Sequence, residues 1–231
     1  MLPSPRFSLR VPAWVFALCL VGTAAVPAQP FSDAVVEFTG TPGNNVAWMD
    51  VDNDGDQDLV LTNFFLRPID RGGRVLLNNG DGSFTRVENT AFADLQLQTN
   101  AAAAADYDND GDDDLFLSNA NHVGDIDLTT GSTLWRNEGG TFALISDGPL
   151  AAENDLGGFG TAWGDYDADG DLDLFVSVHE NFSRDPDDSQ GNNQLFDNNG
   201  DGTFTPNSTA LPVTVGAGPN AMSGWIDFDD D

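Results

Sequence analysis

Cysteine, lysine and histidine are nearly missing from this chain: one cysteine, no lysine among eight basic residues, and two histidines in 231 residues. Each scarcity excludes something. Cys19 lies inside the one long apolar run, from about Ala13 to Val26. That run is shorter than the ~20 residues a membrane span needs. Arg6 and Arg10 precede it, and the small-residue stretch Val26-Pro27-Ala28 follows, so residues 1–28 are expected to be a secretory signal. Phe16-Ala17-Leu18 lacks the small residue expected ahead of a lipoprotein cysteine. The exported chain, 29–231, then has no thiol and no disulfide, and needs another source of stability. His122 and His179 occupy matching loop positions, and with no cysteine in the mature chain no Ser-His-Asp or Cys-His arrangement can be assembled. Eight arginines against 38 acidic residues give a formal charge of -30, a field that disfavours nucleic acid and anionic membrane as partners.

What is present is aspartate, and it is clustered. Asp50-Val51-Asp52-Asn53-Asp54-Gly55-Asp56-Gln57-Asp58 recurs as Asp106-Tyr107-Asp108-Asn109-Asp110-Gly111-Asp112-Asp113-Asp114 and as Asp165-Tyr166-Asp167-Ala168-Asp169-Gly170-Asp171-Leu172-Asp173. A fourth copy begins at Asp227, Asp229 and Asp231. More than half of the acidic residues lie in these loops, so the charge reads as local cation sites rather than as a disordered acidic tail. Carboxylates at alternate positions repel unless a cation sits among them, and the central glycine lets the backbone turn so that they converge. Position twelve, where an EF-hand carries its bidentate Glu, holds Leu61, Leu117 and Val176, which excludes that motif. A ninth-position Asp closes each loop instead. Oxygen ligands without His or Cys favour calcium over zinc or copper, and magnesium prefers a water-rich octahedron.

The loops start at 50, 106, 165 and 227, at intervals of 56, 59 and 62 residues. A period near sixty with strand-like content predicts propeller blades. Each unit has a short run before the loop (Val46 to Met49, Ala102 to Ala105, Thr161 to Gly164, Ser223 to Ile226) and an apolar run after it (Leu59 to Leu61, Leu115 to Leu117, Leu174 to Val176). The second runs lack polar alternation, as expected of strands buried on both faces. Third runs at Val75 to Leu77, Leu134-Trp135 and Leu195-Phe196 lead into Asn-Gly and Asp-Gly turns and a fourth strand. Five consecutive alanines, 101–105, favour helix by propensity, but their register matches the pre-loop strand, with Ala104 aligned to Trp48, Trp163 and Trp225. Strand is the expectation there.

The fold expected is all-β: β-propeller blades of four antiparallel strands at about 44–98, 99–157 and 158–216, with the start of a fourth at 217–231. In such meanders the acidic loops and the glycine turns share one end of each blade, and the long loops at 63–73, 119–133 and 179–193 share the other. Arg67, Arg71, Arg74, Arg184 and both histidines fall in or beside those long loops, with Phe64, Phe65 and Phe182. They form a candidate contact surface for an anion or carbohydrate, or a set of solvated side chains pairing with Asp185, Asp187 and Asp188.

The acidic loops resemble the Asp-x-Asp-x-Asp-Gly-x-x-Asp calcium sites of FG-GAP repeats, the blades of integrin alpha-subunit propellers and of secreted bacterial VCBS-repeat proteins. Gly157-Gly158-Phe159-Gly160-Thr161-Ala162 and Gly216-Ala217-Gly218-Pro219 resemble the elements that name the family. The wider spacing is similar to the repeats of cartilage acidic protein and UnbV-type proteins. The resemblance spans about 44–231. It implies calcium held by the side chains of Asp50, Asp52, Asp54 and Asp58 with the carbonyl of Asp56. The second site takes Asp106, Asp108, Asp110 and Asp114 with the carbonyl of Asp112, and the third Asp165, Asp167, Asp169 and Asp173 with that of Asp171. The side chains of Asp56, Asp112, Asp113 and Asp171 are expected to be solvated. The fourth copy lacks its glycine and ninth Asp. A propeller of this type closes with about seven blades, so three units and a fragment are expected to be a piece of a longer chain, the alternative being that partner chains complete the ring.

The functional expectation is a secreted or cell-surface binding or adhesion module for an extracellular protein or carbohydrate. Calcium stabilises its blades, and it has no membrane insertion after signal removal. The alternative is an extracellular propeller enzyme, a polysaccharide lyase or hydrolase, or a non-catalytic part of one. No acidic pair stands out among so many Asp residues as catalytic.

Overall fold

In a computed structural model the described residues are 45–62, 74–87, 91–92, 99–119, 122–123, 126–127, 131–151, 157–178, 193–207, 209 and 224–225. All belong to the compact unit Ala34–Asp231. Residues 1–28, where a secretory signal is expected, the fourth acidic loop, and Phe64, Phe65, Arg67, Arg71, His179, Phe182 and Arg184 lie outside them. No helix occurs among the described residues, and so none long and apolar enough to cross a membrane.

Three four-stranded antiparallel sheets repeat one plan. The first orders β1 (Asn45–Met49), β2 (Asp58–Thr62), β3 (Arg74–Asn78) and β4 (Phe84–Val87) as a meander. The second comprises β5 (Thr99–Ala105), β6 (Asp114–Asn119), β9 (Thr133–Asn137) and β10 (Phe142–Leu144) in the same order. Between β6 and β9 a small two-stranded sheet, β7 (His122–Val123) with β8 (Ile126–Asp127), is inserted. The third comprises β11 (Gly160–Gly164), β12 (Asp173–Ser177), β13 (Gln194–Asn198) and β14 (Phe204–Asn207). These are propeller-like blades, as the sixty-residue period predicts.

The alanine run is strand. Ala101 to Ala105 pair one to one with Ser118 to Asp114, after a bulge between Thr99 and Ala101. Tertiary register overrides helix propensity because the run closes a hairpin whose other arm, β6, is buried at every position. Small side chains let the blades approach: β5 packs on β1 and β2 from one side and meets β11 on the other.

Two apolar cores lie at the seams between sheets. The first joins Met49, Val60 and Val75 of blade one to Leu115, Leu117 and Trp135 of blade two, with Phe92 edge-on to both Trp135 and Phe142. The second joins Tyr107, Phe116 and Leu134 of blade two to Leu174, Val176, Phe196 and Phe204 of blade three. Each fully buried side chain of this size contributes about 1.5–3 kcal/mol.

Burial on both faces holds throughout β6 and nearly throughout β12, whereas in β2 buried and half-buried residues alternate; the first strand β1 leaves Val46 46% and Trp48 55% exposed. The reason is in the equivalent residues. Trp163 donates from Nε1 to the Ala103 carbonyl of the preceding sheet (3.3 Å) and stacks on Tyr107 (centroids 6.0 Å). Trp225 does the same to Ala162 (3.4 Å), stacked on Tyr166. Each indole lies on the preceding blade, and among the described residues none precedes β1.

Candidate metal centre

Each acidic loop is the connection inside the first hairpin of a blade, held between two paired strands: β1 with β2, β5 with β6, β11 with β12. The same hydrogen bonds build it three times. The first Asp accepts the N–H groups of the fifth and sixth residues, at 3.1 and 2.9 Å for Asp50, 3.0 and 3.0 Å for Asp106, and 3.1 and 3.1 Å for Asp165. The fourth residue is left-handed, at φ 60° in Asn53, 60° in Asn109 and 62° in Ala168, and the sixth is a glycine with φ between 91° and 99°. Asparagine tolerates this conformation; alanine pays for its Cβ.

The ninth Asp is the buried anchor. Asp58, Asp114 and Asp173 are 0%, 0% and 1% exposed. One oxygen accepts the N–H of the second loop residue: Val51 at 2.8 Å, Tyr107 at 3.2 Å, Tyr166 at 3.1 Å. The other accepts the N–H of an asparagine that ends the third strand: Asn78 at 2.7 Å, Asn137 at 2.8 Å, Asn198 at 2.9 Å. Desolvation raises all three carboxyls above the usual range, against these hydrogen bonds, and pushes Asp114 up to about 7. Burial likewise lifts the Tyr107 hydroxyl to about 12, with the nearby Asp114 charge adding to it.

The folded loops bring the first, third and ninth carboxylates together. In Asp50–Asp52–Asp58, Asp106–Asp108–Asp114 and Asp165–Asp167–Asp173, one oxygen from each residue lies within 4.8 Å of the others. That is the reach of oxygens sharing an ion at 2.3–2.6 Å. The donor set fits a hard cation. Asp108 Oδ1 is buried with no hydrogen-bond partner, and burial with the charge of Asp110 raises its carboxyl. An orphaned anionic oxygen on a residue of such a triad is what a cation would satisfy.

The fifth-position residues Asp54, Asp110 and Asp169 fall outside these triads. Their Oδ1 atoms accept the N–H of Asp56, Asp112 and Asp171 at 2.9, 2.9 and 3.0 Å, a contact that turns the loop. The expectation that Asp112, Asp113 and Asp171 are merely solvated is corrected by contacts between blades and, for Asp112, by one within its own blade. Asn53 Nδ2 donates to Asp112 Oδ1, and Asn109 Nδ2 donates to Asp171 Oδ1 at 3.0 Å. Asp113 Oδ2 accepts the Asp50 N–H at 3.0 Å, and Asp112 Oδ2 that of Gly139 at 2.7 Å. The left-handed turn at position four aims the asparagine at the next loop. Asp56 and Asp171 lie against the turn glycines Gly80 and Gly200, where an added Cβ would meet a carboxylate oxygen at 2.7 and 2.6 Å. Acidic loops and glycine turns therefore share one end of the blade, as the meander requires.

The service of Asn78, Asn137 and Asn198 to the ninth Asp is not evident from the sequence. The trace it leaves there is an asparagine at the same place in all three repeats. Of the candidate contact surface at the other end, Arg74 begins β3 and His122 begins β7; its remaining residues lie outside the described ones.

Four-stranded blades with an oxygen-lined triad in each first hairpin define a repeat protein built on acidic loops. Residues 50–117 match the family model of the FG-GAP-like repeat, a span running from the first loop through the second. That segment thus resembles an FG-GAP-like repeat. No curated protein matches it. Among solved structures it is similar to an Agrocybe aegerita lectin, described for its specific recognition of non-reducing terminal N-acetylglucosamine. The two are 20% identical with a TM-score of 0.38, over 69% of this chain and 36% of the lectin. The chain thus spans little more than a third of that lectin's length.

Proposed function

We propose that this is a secreted calcium-binding module whose blades present a surface to an extracellular protein or carbohydrate, with calcium as a structural clamp on each acidic hairpin. The observation that carries it is the threefold recurrence of the triad, with a buried ninth Asp in each and an orphaned oxygen in the second. Asp50, Asp52 and Asp58 would hold one ion, Asp106, Asp108 and Asp114 a second, and Asp165, Asp167 and Asp173 a third. The ion supplies positive charge that cancels carboxylate repulsion. The chain's own part is to hold the ligands in place through the N–H groups of the loop and the third strand. Secretion fits this role, since calcium is abundant outside the cell and the mature chain has no thiol to oxidise.

The test is thermal unfolding of the purified chain with calcium and with chelator. An ion at 100 times its Kd stabilises by about 2.7 kcal/mol per site. Three sites give about 8 kcal/mol, or roughly 16–32 °C in a domain of this size. A melting curve indifferent to chelator would sink the proposal.

A further inference from the structure

The two asparagines Asn137 and Asn198 each touch two acidic loops at once. Asn137 donates its backbone N–H to Asp114 Oδ1 of its own blade at 2.8 Å, and its side-chain Nδ2 to the Val51 carbonyl of the preceding blade at 3.1 Å. Val51 lies between Asp50 and Asp52, and its own N–H holds Asp58 Oδ2 at 2.8 Å. The pattern repeats one blade on. Asn198 holds Asp173 Oδ1 with its N–H at 2.9 Å and reaches the Tyr107 carbonyl with Nδ2 at 2.7 Å, while the Tyr107 N–H holds Asp114 Oδ2 at 3.2 Å. A continuous path of hydrogen bonds thus runs Asp58, Val51, Asn137, Asp114, Tyr107, Asn198, Asp173.

Every residue on that path is under 5% exposed, so water offers little alternative to its polar groups. Asn78, at the same register in the first blade, gives Nδ2 to Gln57 O of its own blade at 3.2 Å, a bond that Asn198 also makes, to Leu172 O at 3.2 Å, beside its reach to Tyr107.

We propose that Asn137 and Asn198 are positioning residues that make cation binding at successive loops positively cooperative. A cation that draws Asp114 into place fixes the strand end bearing Asn137, whose amide then holds the loop-one backbone between two ligands of the first site. The same step passes from the third loop to the second through Asn198. Because coupling is reciprocal, filling the first site favours the second equally. The inference rests on the calcium reading of the loops, and the experiment separates the two.

Calcium binding to the full chain is followed by titration calorimetry. The expected wild-type result is three ions with a Hill coefficient above one. Asn137→Ala with Asn198→Ala leaves every carboxylate in place. It should retain three ions, lose the cooperativity, and weaken apparent affinity about fivefold or more, the lower end of typical coupling. Asn78→Ala should leave cooperativity unchanged. Should the double variant fail to fold, Asp108→Ala carries the test, since it removes one ligand that lies off the path. It should bind fewer ions, and the affinity of the remaining sites should fall about fivefold or more. Three ions bound with a Hill coefficient of one, undiminished cooperativity in the double variant, or unchanged remaining sites in Asp108→Ala would each overturn the coupling while leaving the calcium reading standing. Absence of calcium binding would overturn both.

Discussion

In chelator, replacing Asp114 by Asn should remove about 4 kcal/mol of the pH dependence of stability between about pH 4 and 7. The Asp114 carboxyl is fully buried, and desolvation raises it to about 7 in the folded protein, whereas an unfolded Asp titrates near 3.9. Between those values the folded state keeps a proton that the unfolded chain has released. The stability this contributes is complete below about pH 4 and is lost as pH rises through about 7. At about 1.4 kcal/mol per unit over about three units, the loss is about 4 kcal/mol, or roughly 8–16 °C in melting temperature. The amide of Asn cannot ionise, so the variant lacks this slope. It starts less stable by about 1–3 kcal/mol, because its NH2 faces one of the two backbone donors that the carboxylate satisfied. With calcium the sense of the pH effect on binding is opposite: the ion takes the deprotonated carboxylate, so affinity should rise from pH 5 to 7.5. The assay is differential scanning fluorimetry across pH for both proteins, with chelator and with calcium. Parallel pH profiles for chelated wild type and Asp114→Asn would refute the reasoning.

Three further substitutions probe the frame around the loops. Gly158→Ala should cost about 1–3 kcal/mol by overpacking: its Cβ would meet Ser118 Oγ at 2.0 Å, and its backbone is tied to Asn119 and Asn100. Ser118→Ala in the same chain should recover part of the melting temperature, and no recovery would place the strain elsewhere. Ala168→Asn should raise the melting temperature in calcium by roughly 2–4 °C, since asparagine relieves about 1 kcal/mol of left-handed strain at φ 62°; a lowered value contradicts this. Trp163→Ala removes a ring packed on Tyr107, Phe116 and Phe204 and should cost about 3–5 kcal/mol by urea unfolding. A loss under 1 kcal/mol would mean the seam between blades two and three does not depend on it.

The repeating parts of the molecule were legible because they are local. A glycine between alternating carboxylates dictates a loop, and the apolar run after it dictates the second strand, without reference to anything distant. The alanine run was legible only by comparison, since Ala101 to Ala105 read alone as helix and became strand once set beside Trp48 and Trp163. What joins the blades was not legible. Asn53 with Asp112 and Asn109 with Asp171 are 59 and 62 residues apart, and no local pattern ties a left-handed asparagine in one loop to a seventh-position Asp in the next. The triads were half legible. Alternation puts the fifth Asp in the same series as the first and third and gives no sign of which of them meet the ninth; in the folded loops the first and third lie close to it.

The indoles of Trp163 and Trp225, each laid on the carbonyl of the sheet before it, give the array a direction. A blade of this kind brings its own lid for its predecessor, so a duplicated segment arrives with the seam it needs already encoded. Such an array can lengthen by copying whole units without any compensating change in the unit it lands on. Blade two has Ala104 at the equivalent place, and its β5 packs on β1 and β2 without a tryptophan there.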